Sequence, residues 1–91
     1  MRFGLSTALV ILPFHPQYHF HISEHNKLVS ISNTGNAVLS ITLHAACHEH
    51  KTCRLAARVY PGRVVQLNTS TFEKPMELYL VGYQFAQHRT I

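Results

Sequence analysis

The most informative part of the chain runs from Lys27 to Thr42 and reads Lys-Leu-Val-Ser-Ile-Ser-Asn-Thr-Gly-Asn-Ala-Val-Leu-Ser-Ile-Thr. Apolar and polar residues alternate on both sides of Asn33-Thr34-Gly35-Asn36, as they do in half-buried strands. Asn and Gly adopt positive φ at little cost, which suits a tight turn. The pattern therefore predicts a β-hairpin in which the run before Asn33 pairs with the run after Asn36.

Composition favours a single small β domain. The chain has 91 residues, of which 46% are hydrophobic and 13% are charged. A chain of this length forms one domain with a small core, and its Val, Ile, Thr, Tyr and Phe residues favour strands. Further alternating runs at 55–60, 64–67 and 76–83 bring the count to six or seven strands, and residues 87–91 are expected to form a frayed tail. This spacing is typical of a β-sandwich.

Charge and hydropathy exclude two classes of partner. The formal net charge is +4, but the basic residues are scattered along the chain, so we expect no nucleic-acid binding. The apolar run of residues 3–14 is shorter than the roughly 20 residues that cross a bilayer, so we expect no membrane span. The same run lacks the small-residue cleavage site that ends a signal peptide, so no export signal is visible.

One face of the N-terminal run is well suited to strand addition. If this segment is extended, its alternate side chains share one face: Phe3, Leu5, Thr7, Leu9 and Ile11. Pro13 and Pro16 then remove two backbone donors and indicate a linker or a change of direction. The run therefore favours a strand that pairs with another edge and fills pockets with its apolar side chains.

The order of these elements resembles one family, the periplasmic pilus-assembly chaperones of the common-pilus (Mat fimbria) type. The resemblance covers residues 3 to about 67 and rests on five features in sequence order. They are Thr7-Ala8-Leu9-Val10-Ile11-Leu12-Pro13, Tyr18-His19-Phe20, Asn33-Thr34-Gly35-Asn36-Ala37, the pair Cys47 and Cys53, and Tyr60-Pro61-Gly62-Arg63.

The resemblance implies an all-β, immunoglobulin-like β-sandwich of about seven strands. Residues 1–14 would be a donor strand left from a missing first domain, and residues 15–91 would be the C-terminal chaperone domain. A chaperone of this family binds and caps pilin subunits in the periplasm by lending them that strand, and it also engages an outer-membrane usher. The chain would then be a truncated form. With its donor strand exposed, we also expect it to associate with itself through that strand.

Cys47 and Cys53 allow three interpretations. Their close spacing suits a disulfide across a tight loop, and an oxidising compartment such as the periplasm would keep it. The alternative is a small metal-binding β-domain, because zinc or copper ligands crowd ten residues: His44, Cys47, His48, His50 and Cys53. That cluster lacks the distant second ligand pair of most structural zinc sites. Two reduced cysteines in a cytosolic fragment are a third interpretation.

Enzymatic signatures are missing from the sequence. It contains neither a glycine-rich phosphate loop nor a Gly-x-Ser-x-Gly motif nor a His-Glu-x-x-His motif. The four glutamates form no acid/base pair that the sequence alone reveals. We therefore expect a binding protein without catalysis and without a cofactor.

Overall fold

Residues 15–91 form seven strands and one short 3-10 turn. A computed structural model describes residues 15–91 of the chain. The strands are β1 (Phe20–His25), β2 (Leu28–Asn33), β3 (Leu39–Ala46), β4 (Thr52–Val59), β5 (Val64–Asn68), β6 (Glu73–Gly82) and β7 (Phe85–Thr90). The 3-10 turn, His48–His50, lies between β3 and β4.

Two antiparallel sheets form a sandwich. The first has the strand order β1-β2-β5 and the second has the order β4-β3-β6-β7. The chain crosses between the sheets after β2, after β4 and after β5, as the Greek-key connections of immunoglobulin-like domains do. The fourth strand pairs with β3, whereas constant-type immunoglobulin domains place it in the other sheet. The prediction of an all-β, immunoglobulin-like sandwich is confirmed for the described residues.

The predicted hairpin across residues 33–36 is wrong, although both of its runs are strands. β2 and β3 lie in different sheets, so the connection between them crosses the sandwich. Alternation records only that each strand has one apolar face, and it does not specify which strand lies alongside. β2 instead forms a hairpin with β1. Its turn residues are Asn26 and Lys27, with φ of 50° and 63°, as a two-residue hairpin turn requires.

The expected frayed tail is also wrong. β7 pairs with β6 along its whole length through the two-residue turn Tyr83-Gln84. Beyond β7, Ile91 exchanges two backbone hydrogen bonds with Met76, at 2.9 and 2.8 Å. The tail is polar because β7 is an edge strand, and its pairing partner lies about ten residues earlier in the chain.

The core lies between the inner faces of the two sheets. The alternation that predicted the strands also identifies the faces that become buried, in β2 and β3 above all. The buried apolar residues of the cluster are Val29, Ile31, Leu39, Ile41, Leu43, Ala45, Val59, Leu67, Met76, Leu78 and Leu80. Each large aliphatic side chain of this kind contributes about 1.5–3 kcal/mol when it leaves water. The core therefore supplies most of the stabilisation, and it fixes which face of each strand is exposed.

Asn33 is a polar residue at one end of this core, and its side chain is completely buried. Its amide nitrogen donates to the carbonyl oxygens of Ala37 and Val59, at 2.8 Å each. Its amide oxygen accepts from the backbone N–H of Gly35 at 2.9 Å. A buried amide costs little only when it is hydrogen-bonded, and here both its ends are. The side chain therefore joins β2, the crossing loop and the end of β4.

The backbone of Asn33 makes a second set of bonds, to the turn between β4 and β5. Its N–H donates to the Arg63 carbonyl at 2.9 Å, and its carbonyl accepts from the Gly62 N–H at 2.8 Å. Gly62 has φ of 79°, in the region that favours glycine, and no atom lies within 4 Å of the place that a Cβ would occupy. Glycine is therefore needed at position 62 for backbone conformation rather than for space, so that the turn can present its N–H to Asn33.

We predict that Asn33→Ala lowers the free energy of unfolding by about 2–4 kcal/mol, because it leaves several buried partners without a hydrogen bond. The measurement is urea denaturation followed by circular dichroism. Asn36→Ala is the matched control, since its amide makes hydrogen bonds at the exposed surface, and it should cost about 1 kcal/mol or less. Equal losses in the two variants would contradict the central role of the buried amide.

Candidate functional site

The described chain begins at one end of the sandwich, where residues 15–19, the entry segment, run beside the loop between β2 and β3. The Thr34 N–H donates to the His19 carbonyl at 2.9 Å, and the Asn36 N–H donates to the Gln17 carbonyl at 3.1 Å. In return, the Gln17 N–H donates to the side-chain oxygen of Asn36 at 2.7 Å. These bonds fix the path of the entry segment before β1 begins.

Gly35 allows the loop and the entry segment to approach each other this closely. A Cβ atom at position 35 would overlap the carbonyl oxygen of Gln17 and lie 2.8 Å from the backbone nitrogen of His19. Backbone atoms cannot give way as a flexible side chain can, so any larger residue would push the entry segment off the loop. The Asn-Thr-Gly-Asn motif, predicted as a hairpin turn, therefore serves as a docking loop for the segment that precedes β1.

Tyr18 fixes the entry segment from its other side. Its ring stacks on Phe85 with centroids 4.5 Å apart, and its hydroxyl accepts from the Tyr83 N–H at 2.7 Å. A Cβ atom on Gly82 would collide with the Tyr18 ring, so glycine at that position provides the space. The entry segment is therefore held by the β2–β3 loop and by the β6–β7 turn at once.

The same end of the sandwich carries exposed apolar side chains. We call it the loop end, comprising the entry segment, the β2–β3 and β4–β5 loops and the β6–β7 turn. Tyr60, Val64 and Tyr83 are 51%, 58% and 73% exposed. Exposed aromatic residues at a rigid loop end are typical of protein-binding surfaces. The loop end is therefore the candidate functional site within residues 15–91.

The residues that the sequence assigned to subunit binding lie outside the described part of the chain. They are Phe3, Leu5, Thr7, Leu9 and Ile11. Their binding role stays a prediction. The described residues nevertheless fix where the chain reaches the sandwich after residue 14, namely at the loop end.

The predicted disulfide is confirmed. Cys47 and Cys53 are bonded, with their Cα atoms 5.7 Å apart, and Cys47 is buried. The bridge closes the loop between β3 and β4. Within this loop, the Cys47 N–H also donates a hydrogen bond to the Lys51 carbonyl at 2.7 Å. This loop lies at the opposite end of the sandwich from the entry segment, so the disulfide stabilises the domain away from the candidate site.

The residues of the metal-binding alternative do not form one cluster. The disulfide uses the sulfur atoms of Cys47 and Cys53, so neither supplies a thiolate. His44 lies on the outer face of β3, where its ring packs edge-on against Tyr79 with the ring centroids 5.4 Å apart. His48 and His50 are exposed in the 3-10 turn. Across residues 15–91, no three His, Cys, Asp or Glu side chains come together as a metal site would require. The geometry therefore does not favour the metal alternative.

A polar cluster on the outer face of the second sheet was not anticipated from the sequence. One carboxylate oxygen of Glu77 accepts hydrogen bonds from the His88 ring and from the Thr90 hydroxyl, the latter at 3.0 Å. These bonds, His88 first and Thr90 second, lower the pKa of Glu77 below its ordinary value. The His88 ring also stacks on Tyr79 at 4.7 Å. The cluster depends on the β6–β7 register, which local sequence patterns do not reveal.

Comparison with known proteins identifies no relative of this chain: no model of a protein family, no curated protein and no solved structure matches it. No helix within residues 15–91 is long and apolar enough to cross a membrane. The site must therefore be interpreted from its own residues.

We predict that replacing both cysteines, Cys47→Ala with Cys53→Ala, lowers the free energy of unfolding by about 2 kcal/mol, the chain-entropy value for so short a loop. Urea denaturation of the oxidised protein and of the double variant measures the difference. Dithiothreitol should destabilise the unsubstituted protein by a similar amount and leave the double variant unchanged. A variant as stable as the oxidised protein would show that the bridge contributes nothing.

We predict that Glu77→Gln lowers the urea midpoint at neutral pH and removes part of its acid dependence. The folded-state pKa of Glu77 lies below its unfolded value, so its contribution is present above about pH 4.3, the ordinary Glu pKa. It is lost as the pH falls through the lowered folded-state pKa. The difference between the two proteins should therefore narrow in acid.

The control for this prediction is Glu73→Gln, on the same strand. Glu73 is exposed and takes part in no ion pair within residues 15–91. Its replacement should leave the acid dependence of the urea midpoint as it is in the unsubstituted protein. If both variants follow the same curve from about pH 3 to pH 7, the cluster does not stabilise the fold.

Proposed function

We propose that this chain binds pilin subunits as part of a periplasmic pilus-assembly chaperone of the common-pilus type. In this proposal residues 1–14 supply a donor strand to the subunit, and residues 15–91 form the immunoglobulin-like domain that carries it. The observation that supports the proposal best is the double attachment of the entry segment at the loop end. A strand that must pair edge to edge with a partner needs a fixed direction, and this attachment provides one.

The energetics of the proposed strand are favourable. In an extended strand, four large apolar side chains would share one face of the segment: Phe3, Leu5, Leu9 and Ile11. Their burial in the groove of a subunit would contribute roughly 6–12 kcal/mol before the costs of association and ordering. Backbone pairing then specifies the register, since a slip by one residue would turn every apolar side chain away from the groove.

The loop end supports the proposal in a second way. Tyr60 and Tyr83 are exposed at the end of the sandwich where the entry segment meets it, and the Tyr83 backbone bonds to Tyr18 of that segment. A subunit paired with the preceding strand would lie close to this end, so both aromatic side chains are available to contact it. The Cys47–Cys53 disulfide also fits an oxidising compartment such as the periplasm.

We predict that Leu5→Arg with Leu9→Arg abolishes subunit binding. The two charges would have to enter an apolar groove without partners, so binding should fall by at least about 100-fold. The measurement is co-elution and fluorescence anisotropy with a purified pilin subunit that lacks its own N-terminal extension. Thermal unfolding of the variant should match that of the unsubstituted protein.

The matched control is Ser6→Arg with Ala8→Arg, which adds the same charge to what would be the opposite face of an extended strand. It should retain most of the binding. Equal binding by both double variants would overturn the donor-strand proposal, and so would the absence of binding by the unsubstituted protein to the pilins of its source organism.

A further inference from the structure

Within residues 15–91, β4 is an edge of the four-stranded sheet, so half of its backbone groups face outward. In an antiparallel sheet, each residue directs its N–H and C=O to the same side, and the side alternates along the strand. Met76 exchanges two backbone hydrogen bonds with Ile91, so the N–H and C=O of Met76 point toward β7. Tyr79 lies three positions later, so its N–H and C=O point toward β3. Thr42 is paired with Tyr79, and its N–H and C=O point toward β6.

The alternation continues across β3 to β4. Ile41, next to Thr42, faces toward β4 and pairs with Ala57. The bond from the Cys47 N–H to the Lys51 carbonyl agrees with this assignment. Cys47 is six positions from Ile41, an even number, so the backbone groups of both residues face the same side. Residues of β4 with odd numbers therefore bond to β3, and those with even numbers direct their N–H and C=O to the open edge.

The edge-facing residues of β4 are Arg54, Ala56 and Arg58. Within residues 15–91, no side chain, turn or loop makes a hydrogen bond to their backbone groups. All three are exposed, on the outer face of the sheet. Unpaired edge groups of this kind are a template for an added strand.

β7 is the other edge of this sheet within residues 15–91, and aromatic rings pack against its first residue, Phe85, whereas the rest of the strand is exposed. β7 lies against the entry segment and β1: Tyr18 stacks on Phe85, and the Phe20 ring lies edge-on to Phe85 with centroids 6.2 Å apart. The Arg89 guanidinium lies over the Phe20 ring, 5.2 Å from its centroid. Comparable aromatic cover on β4 is not present in the described part of the chain.

The side chains of β4 specify the chemistry of an added strand. Arg54 and Arg58 take part in no ion pair among residues 15–91, and they are four positions apart, or about 13 Å along the strand. On the inner face, Leu55 and Ala57 are only half-buried, so the rim of the core is open to further apolar contact. A complementary strand would therefore carry carboxylates four residues apart on one face and apolar residues on the other.

We propose that the β4 edge binds an extended segment of a partner protein, with acidic residues that pair with Arg54 and Arg58 and apolar residues that cover Leu55 and Ala57. A second copy of this chain is a poor occupant of the edge. Antiparallel pairing of two β4 strands about Ala56 would place Arg54 of each copy opposite Arg58 of the other, and like charges in that position are destabilising. All of the residues that form this site lie within residues 15–91.

The test uses the peptide Thr-Val-Glu-Val-Thr-Val-Glu-Val-Thr, labelled with a fluorophore, and a matched peptide in which lysine replaces both glutamates. The glutamate peptide should bind to the full chain at least about tenfold more tightly than the lysine peptide, because two opposite-charge pairs become like-charge pairs. Arg54→Glu with Arg58→Glu should reverse the preference. Lys27→Glu with Lys51→Glu, the same charge change at positions outside β4, should leave the preference for the glutamate peptide in place.

A backbone measurement separates strand addition from simple charge attraction. The glutamate peptide should slow the hydrogen exchange of the Arg54, Ala56 and Arg58 amides. Ala56→Pro removes one edge-facing donor without disturbing the bonds to β3, and it should abolish binding while the domain stays folded. Equal affinity for both peptides, binding without amide protection, no binding at all, or dimerisation through β4 would each overturn the proposal. None of these outcomes bears on pilin binding through residues 1–14.

Discussion

The buried amide of Asn33 joins the segments that meet at the end of the sandwich where the chain passes between its two sheets. A sandwich whose chain crosses between sheets needs a polar connection at the end of its core, because crossing loops bring backbone groups that cannot all reach water. Asn33 supplies that connection from a single position, with its side chain bonded to Ala37 and Val59 and its backbone bonded to the turn at Gly62. Asn33 thereby fixes the inner ends of the β2–β3 loop and the β4–β5 turn, where each meets the core.

Because the inner ends are fixed, the loops can hold something outside the core. Gly35 follows Asn33 by two positions and lies against the backbone of the entry segment, while Asn36 bonds to it directly. One short motif thus joins the core to the segment through which residues 1–14 reach the sandwich. The cost of an error is correspondingly large: a side chain at position 35 would displace the entry segment even if the core remained intact.

The sequence allowed the strands and their buried faces to be predicted, but not their neighbours. Alternation on both sides of Asn33 indicated one apolar face for each strand, and Val29, Ile31, Leu39 and Ile41 are buried on those faces. Burial of one face imposes a period of two wherever the strand lies. The assignment of β2 and β3 to one hairpin failed because the choice of sheet is made by contacts distant in sequence. For the same reason, only part of the candidate site could be predicted from the sequence. The close spacing of Cys47 and Cys53 was sufficient to predict a local disulfide, whereas Tyr18 contacts a turn 65 positions later in the chain.

The two proposed binding modes both use strand addition, but the chain has opposite roles in them. Residues 1–14 would be a donor, and their apolar face requires an apolar groove, so that interaction should depend little on salt. The β4 edge would be an acceptor, and its two arginines are exposed on the outer face, so its interaction should weaken as ionic strength rises. Charge on an edge strand also discourages pairing between copies. The arginines of β4 therefore oppose pairing between two copies of this edge, and they still allow an acidic strand to bind.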